Sequence, residues 1–339
     1  MSRVLVVKMS SLGDVVHALP AAHDAVRHGH TLDWVVEESF AELPALVSGV
    51  ENVIPIAWRR WRKNLTANAT ELRAFFSELR GREYDVVLDS QGLIKSAVVS
   101  LAARGARHGF SHTTAREPWA AFAYGARHRV ARGQHAVTRQ RLLFGAALNY
   151  VVDEALPVLG AASAALDRKH ALFLHGTTWP AKHWPEDMWQ RLIQLAHADG
   201  FTITVTGGND AEIARATRLA QQPGVELVQG MNLTQLARVM ADSAVVVGVD
   251  SGLCHLSAAL GRPTLGLYGP TNASLTGPLG PQAQFLQSDL ACAPCMQAQC
   301  RYAGEPQLWQ GDAVQPACYA QLNPEVVWAK ARSMLARAG

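Results

Sequence analysis

The chain has 339 residues, enough for two domains of ordinary size. With 49% hydrophobic and 17% charged residues it has a globular composition that excludes intrinsic disorder, and a net charge of +3 does not by itself ask for nucleic acid. No apolar run is long enough to cross a membrane, and no solenoid-length repeat or low-complexity tract interrupts the chain.

The sequence opens on Arg3-Val-Leu-Val-Val7, an apolar, β-branched run that reads as a buried parallel strand with no leader peptide before it. A cytoplasmic location is expected on that ground, with a membrane surface open as a partner. The strand runs into a polar turn, Lys8-Met-Ser10-Ser11-Leu-Gly13-Asp14, and a helix over 18–27 follows. Asp14 falls in a first helical turn, where a carboxylate complements the helix dipole. The same place, at the carboxyl edge of a parallel sheet, also suits a general base. Further strands are expected at 32–36, 53–56 and 86–88 and a helix at 69–79. Between them lies a basic segment, Trp58-Arg59-Arg60-Trp61-Arg62-Lys63. It is either a solvated charge run or an amphipathic surface that grips an anionic acceptor or anionic headgroups. Asp89-Ser-Gln91-Gly92-Leu-Ile-Lys95-Ser96, Thr114-Ala-Arg116-Glu117 and Gln134-His135 add polar groups.

Around 153–167 the pattern lapses into Pro, Gly, Ala and Ser, as in a linker. A second α/β series follows, with strands at 171–174, 202–205, 227–228, 245–249 and 264–267. Its helices are expected at 184–198, 212–221, 233–242, 253–260 and from Pro324 to about 336. The expected fold is α/β: two doubly wound, Rossmann-like domains facing across a cleft. Residues 1–155 form an N-terminal acceptor domain, 165–322 a nucleotide donor domain and 323–339 a C-terminal helix.

The loops after the strands of the second half carry His175-Gly-Thr177-Thr178 with Lys182, Gly207-Gly208 with Glu212, Asp250-Ser251-Gly252 with His255, and Tyr268-Gly-Pro-Thr271. Hydroxyls, a lysine, glycines and a helix start suit a diphosphate. Each has a plain structural alternative: a turn cap, a surface charge, a buried histidine. After the first strand there is no G-x-G-x-x-G, which disfavours a nicotinamide dehydrogenase, and no P-loop lysine motif is present. Cys292-x2-Cys295-x4-Cys300 and Cys318 raise the question of a structural zinc, but no ligand pattern fits closely; free thiols are the plain alternative and no metal is expected.

Several segments together resemble glycosyltransferase family 9, of GT-B architecture: 8–20, Trp34-Val-Val-Glu-Glu38, 56–63, Gln91-Gly-Leu-Ile-Lys-Ser96, Thr114-Ala-Arg-Glu-Pro118, Lys182-His-Trp-Pro185 and 249–256. The Arg/Trp and Thr-Ala-Arg-Glu-Pro runs point to its type I branch. The resemblance implies inverting transfer of heptose from ADP-heptose to Kdo on lipid A, by a peripheral protein at the inner leaflet of a Gram-negative inner membrane, without cofactor. It implies Asp14 as general base and Lys182 on the diphosphate. Ser10, Ser11, Gly13, Thr177, Thr178, Glu212, Asp250, Ser251, Gly252 and His255 would line the donor site, with Glu212 on the ribose. Arg59, Arg60, Arg62, Lys63, Gln91 and Arg116 would hold the acidic acceptor. Ser251 stands where the family often has threonine, and the cysteine segment is untypical of the type I branch. A family 9 transferase with another acceptor, a sugar-nucleotide epimerase and a nucleotide-binding regulator are the alternatives.

Overall fold

The computed structural model describes residues 1–159 and 167–338. Contacts divide the chain into two compact units, Met1–Gly160 and Ala161–Gly339. Of the stretch read as a linker, residues 160–166 lie outside the described residues.

Unit 1 runs β1 (Arg3–Val7), α1 (Leu12–Val16), α2 (Leu19–Arg27), β2 (Thr31–Glu37), β3 (Val50–Ile56), α3 (Trp58–Trp61), α4 (Ala69–Arg80), β4 (Glu83–Asp89), α5 (Ile94–Ala102), β5 (Arg104–Phe110), β6 (Ala126–His128) and α6 (Ala136–Leu148). Its strands are all parallel, in the order β3-β2-β1-β4-β5-β6. A parallel sheet covered on both faces needs apolar residues on both sides of its central strands, which is why β1 is an unbroken run. Leu5, Val7, Val35, Ile54 and Val87 meet Phe75, Leu79 and Val99 in one core. Each such side chain taken out of water contributes about 1.5–3 kcal/mol.

Unit 2 runs β7 (Asp167–Leu174), α7 (Glu186–Ala198), β8 (Thr202–Gly207), α8 (Asp210–Leu219), β9 (Val225–Gln229), α9 (Leu233–Asp242), β10 (Ser243–Val249), α10 (Gly252–Ala259), β11 (Thr264–Tyr268), α11 (Ala273–Thr276), β12 (Ala283–Gln287), a short β13–β14 ribbon (Leu308–Trp309, Asp312–Ala313) and α12 (Pro324–Ala338). Its sheet is parallel, in the order β12-β11-β10-β7-β8-β9, the same winding as unit 1 read from the other edge. Trp189, Leu192, Ile193 and Ala196 recur on one face of α7 and pack with Phe173, Val205 and Trp328. α12 lies against α7 within this unit.

The structure adds elements that the hydrophobic pattern does not announce. β5 reads Arg-Gly-Ala-Arg-His-Gly-Phe, β6 Ala-Arg-His and β12 Ala-Gln-Phe-Leu-Gln. β6 and β12 are edge strands and β5 is next to an edge. They are only partly buried and do not require an apolar run. α5 and α6 likewise follow segments read only as polar loops.

Candidate active site

Ligands of open α/β sheets bind outside the carboxyl ends of the strands, where the strand order reverses. That switch lies between β1 and β4 in unit 1 and between β7 and β10 in unit 2.

In unit 1 the loops after β1 and β4 are tied together. Gln91 Oε1 accepts the N–H groups of Met9 (2.7 Å) and Ser10 (3.4 Å). Lys8 is buried, and its Nζ donates to Ser90 O at 3.1 Å. Lys95 Nζ donates to Ser10 Oγ at 2.9 Å. Ser11 precedes α1, and Asp14 Oδ2 accepts both its N–H (3.0 Å) and its Oγ–H (3.1 Å). Arg116 Nη1 stands 3.7 Å from the same oxygen. None of these contacts uses Oδ1. Burial alone raises the Asp14 pKa; Lys8, the Ser11 N–H and Arg116 outweigh it and bring it below the ordinary carboxylate value. Burial likewise lowers the Lys8 pKa, opposed by Asp14 and Asp89. Asp14 thus caps the helix start and is ionised, and among the described residues no hydrogen bond or ion pair takes its Oδ1.

Arg116 reaches Asp14 because its turn is pinned to the start of α5. Glu117 N donates to Gly92 O (3.0 Å) and Ile94 N to Glu117 Oε2 (2.6 Å). Gly92 holds φ +67°, which strains any L residue, and a Cβ there would lie 3.4 Å from Arg116 N.

The first four residues of the basic segment, Trp58–Trp61, form α3, and Arg62 and Lys63 follow it. Its tryptophans do not make the amphipathic surface offered as one reading. Trp61 is buried against Phe75 at 5.6 Å and Trp58 packs at the edge of the same core. Arg60 is shared between Glu38 (3.2 Å) and Glu71 (2.8 Å), and these carboxylates raise its pKa. Arg59 stacks over Phe40, while Arg62 and Lys63 are exposed.

In unit 2 the centre is Asp250, buried at the end of β10. Its carboxylate meets Lys182 Nζ (2.7 Å) and His255 Nε2 (3.4 Å), and accepts from Thr271 Oγ1 (2.7 Å) and Tyr268 OH (3.3 Å). Burial raises its pKa; His255 and Lys182 overcome that and drive it far below the ordinary value. Thr177 Oγ1 donates to the Asp250 carbonyl at 3.0 Å. The Lys182 segment is fixed from behind by Tyr319 OH on its carbonyl (2.8 Å) and by Ala181 N on Ala298 O (3.0 Å). Ser251 caps α10, accepting from Cys254 N at 3.4 Å, and residues 251–253 are half-buried at the helix start. Thr178 is exposed. Glu212 Oε2 accepts the Gly208 N–H at 2.9 Å, and its carboxyl carbon lies 2.7 Å from where a Cβ on Gly176 would stand, too close for a side chain there. Tyr268, Thr271 and Tyr319 were not singled out as site residues; Tyr268 and Thr271 at least stand in a quoted post-strand loop, whereas nothing in the sequence marks Tyr319.

All five cysteines are free thiols, and among the described residues no cluster of His, Cys, Asp or Glu is placed to hold a metal ion. Met296 N bonds Pro270 O at 2.8 Å, so the cysteine loop braces the Thr271 segment. A hollow of about 570 Å³ beside Arg73, Phe76 and Arg104 opens at the amino ends of β4 and β5, the opposite edge of the sheet from Asp14. It contains none of the groups above.

Two units of one winding, each gathering charged and hydroxyl groups at its switch point, define an α/β enzyme of the GT-B class. The sequence profile of glycosyltransferase family 9 (heptosyltransferase) matches residues 72–305. The lipopolysaccharide heptosyltransferase 1 of Pseudomonas aeruginosa is 43% identical over 98% of this chain and 98% of its own length. That of Escherichia coli K12 is 44% identical over 82% and 91%. The E. coli heptosyltransferase WaaC, solved with ADP-2-deoxy-2-fluoro heptose, superposes with a TM-score of 0.78 at 42% identity, over 84% of this chain and 93% of that one. The chain belongs to glycosyltransferase family 9, the heptosyltransferases, and is a glycosyltransferase.

Proposed function

We propose that this protein transfers heptose from ADP-heptose to Kdo on lipid A, with inversion, as a step of lipopolysaccharide inner-core synthesis at the inner leaflet of the inner membrane. The observation that carries the mechanism is Asp14: an ionised carboxylate at the switch point of unit 1, held through one oxygen, with the other free of contacts among the described residues. The Kdo hydroxyl attacks the anomeric carbon of heptose and passes its proton to Asp14. The bond from that carbon to the diphosphate oxygen breaks, and ADP leaves with the electron pair. General-base assistance of this kind contributes about 10²–10⁴-fold.

Charge grows on the departing diphosphate, so the larger demand is there. Lys182 and the N–H groups opening α10 at Ser251 and Gly252 meet it without a metal. Thr178 donates beside them, Thr177 lines the site while its hydroxyl holds the Asp250 carbonyl, Glu212 takes the ribose, and Ser10, Ser11 and Gly13 border the donor next to Asp14. Asp250 acts through others: its buried carboxylate aims Lys182 and His255. On the acceptor side Arg59, Arg62, Lys63, Gln91 and Arg116 hold the acidic sugar, with Arg60 braced by two carboxylates.

The deciding assay incubates the protein with ADP-heptose and Kdo–lipid A and reads the acceptor by mass spectrometry. One heptose added to this acceptor, and none to an already heptosylated core, is the expected result. Transfer only to the heptosylated core would assign the protein to another acceptor, and consumption of donor without acceptor would make it an epimerase.

A further inference from the structure

α5 turns three large apolar side chains to solvent. Ile94, Val98 and Leu101 recur at the spacing of one helix face and are 50%, 49% and 54% exposed. On its covered side Ala97 packs against Ala120, Ala121 and Tyr124, so the 3-10 turn Pro118–Ala123 is seated directly on the helix. That turn adds Trp119 at 73% exposure and Phe122 at 69%, their rings stacked with centroids 5.8 Å apart. Single exposed apolar residues are ordinary; an aliphatic stripe joined to two exposed aromatics marks an interface.

The stretch of chain that builds this surface is one-sided in charge. Between residues 94 and 132 the chain carries Lys95 and six arginines against one carboxylate, Glu117, whose oxygen is already taken by the Ile94 N–H. With a total of only +3, the rest of the chain is net negative, so the positive charge is concentrated in this stretch of the sequence. Arg127 lies over the Phe122 ring at 5.8 Å, and Arg107 is anchored on Ala123 O at 3.1 Å. A second copy docked by twofold symmetry would set this cationic rim against itself. An anionic bilayer matches both parts: the aromatic and aliphatic groups enter the headgroup–acyl boundary, and the guanidinium groups pair with lipid phosphates. The surface also begins where the chemistry is. Ile94 is bonded to Glu117, and the neighbouring Arg116 stands 3.7 Å from Asp14.

We propose that the exposed face of α5 and the Trp119–Phe122 turn form the surface by which unit 1 docks on an anionic lipid bilayer, so that a lipid-borne acceptor meets Asp14 at the membrane. This rests on the reading of the acceptor as a lipid given above. The test uses the full chain, vesicles of phosphatidylglycerol mixed with phosphatidylcholine, and vesicles of phosphatidylcholine alone. The wild type should sediment with the anionic vesicles and not with the neutral ones. Trp119→Ser combined with Phe122→Ser should weaken that binding at least roughly 10-fold. Arg127→Glu combined with Arg129→Glu should do the same with the aromatics intact, which guards against a folding defect in the first variant. Both double variants should lose turnover on vesicle-embedded Kdo–lipid A yet keep it on the same acceptor stripped of its acyl chains. Wild-type protein that ignores anionic vesicles, or variants that bind them undiminished, would overturn the proposal. So would a solution dimer that the aromatic variant dissolves while vesicle binding persists. Failure of the wild type on both acceptors would instead sink the transfer reading, and the vesicle comparison reads docking independently of it.

Discussion

Asp14 and Lys182 are set up by opposite means. Asp14 is a partly accessible carboxylate whose cations, Lys8 and Arg116, keep it ionised. Asp14→Asn removes the proton acceptor but keeps the cap on Ser11. Turnover should fall by about 10²–10⁴-fold, with ADP affinity within roughly twofold of wild type by calorimetry. Near-normal turnover would assign the base elsewhere. Because the Asp14 pKa lies below its usual 3.8, the carboxylate stays charged as pH falls toward that value. The acid limb of kcat/KM should therefore lie below about pH 4 on account of this group. An acid limb centred at pH 6 or above would show that another group titrates. Lys182 is held by a buried carboxylate, and the two should act as one unit. Lys182→Ala should weaken ADP binding, Asp250→Asn should also weaken it, and the double variant should cost clearly less than the sum. Additive losses would separate them.

Elements carry their own stability marks. Arg141 on α6 and Asp24 on α2 form a buried pair at 2.6 Å, and Arg141 also donates to Ala155 O. Removing one partner leaves the other charge buried alone, at about 3–5 kcal/mol. Arg141→Ala should lower the urea midpoint by a corresponding amount, whereas Arg218→Ala, which removes an exposed guanidinium from its pair with Glu186, should leave the midpoint nearly unchanged. Equal losses in the two variants would contradict this ranking. Central elements were legible because they must satisfy two covered faces: β1, β10 and α7 announce themselves as apolar runs or stripes. β5, β6 and β12 were not, because a partly exposed strand at or beside an edge can be built from Arg, His and Gln. Trp58 and Trp61 misled in the other direction. An arginine-rich context suggested a surface, but a helical turn puts Trp61 on the inner side and Arg59, Arg60 and Arg62 on the outer.

At the scale of the molecule the two units have separate sheets and separate cores. A ligand bound to unit 2 should stabilise unit 2 first, by about 2.7 kcal/mol at a hundredfold excess over its dissociation constant. Hydrogen exchange with ADP should slow at 175–182 and 250–256 and leave the β1–β6 sheet unchanged. Protection confined to unit 1 would reverse the assignment of the two switch points.

What the amino-acid sequence determined by itself was local: two α/β series, and the two strand–turn–helix segments that bear Asp14 and Asp250, because strand, cap and helix start are written in consecutive residues. Only the tertiary structure decided which loops meet. Gln91 reaches Met9 across 82 positions and Arg141 reaches Asp24 across 117. Such pairings follow from strand order and from which helix covers which face, and those are settled by the packing of the whole sheet rather than by any one segment.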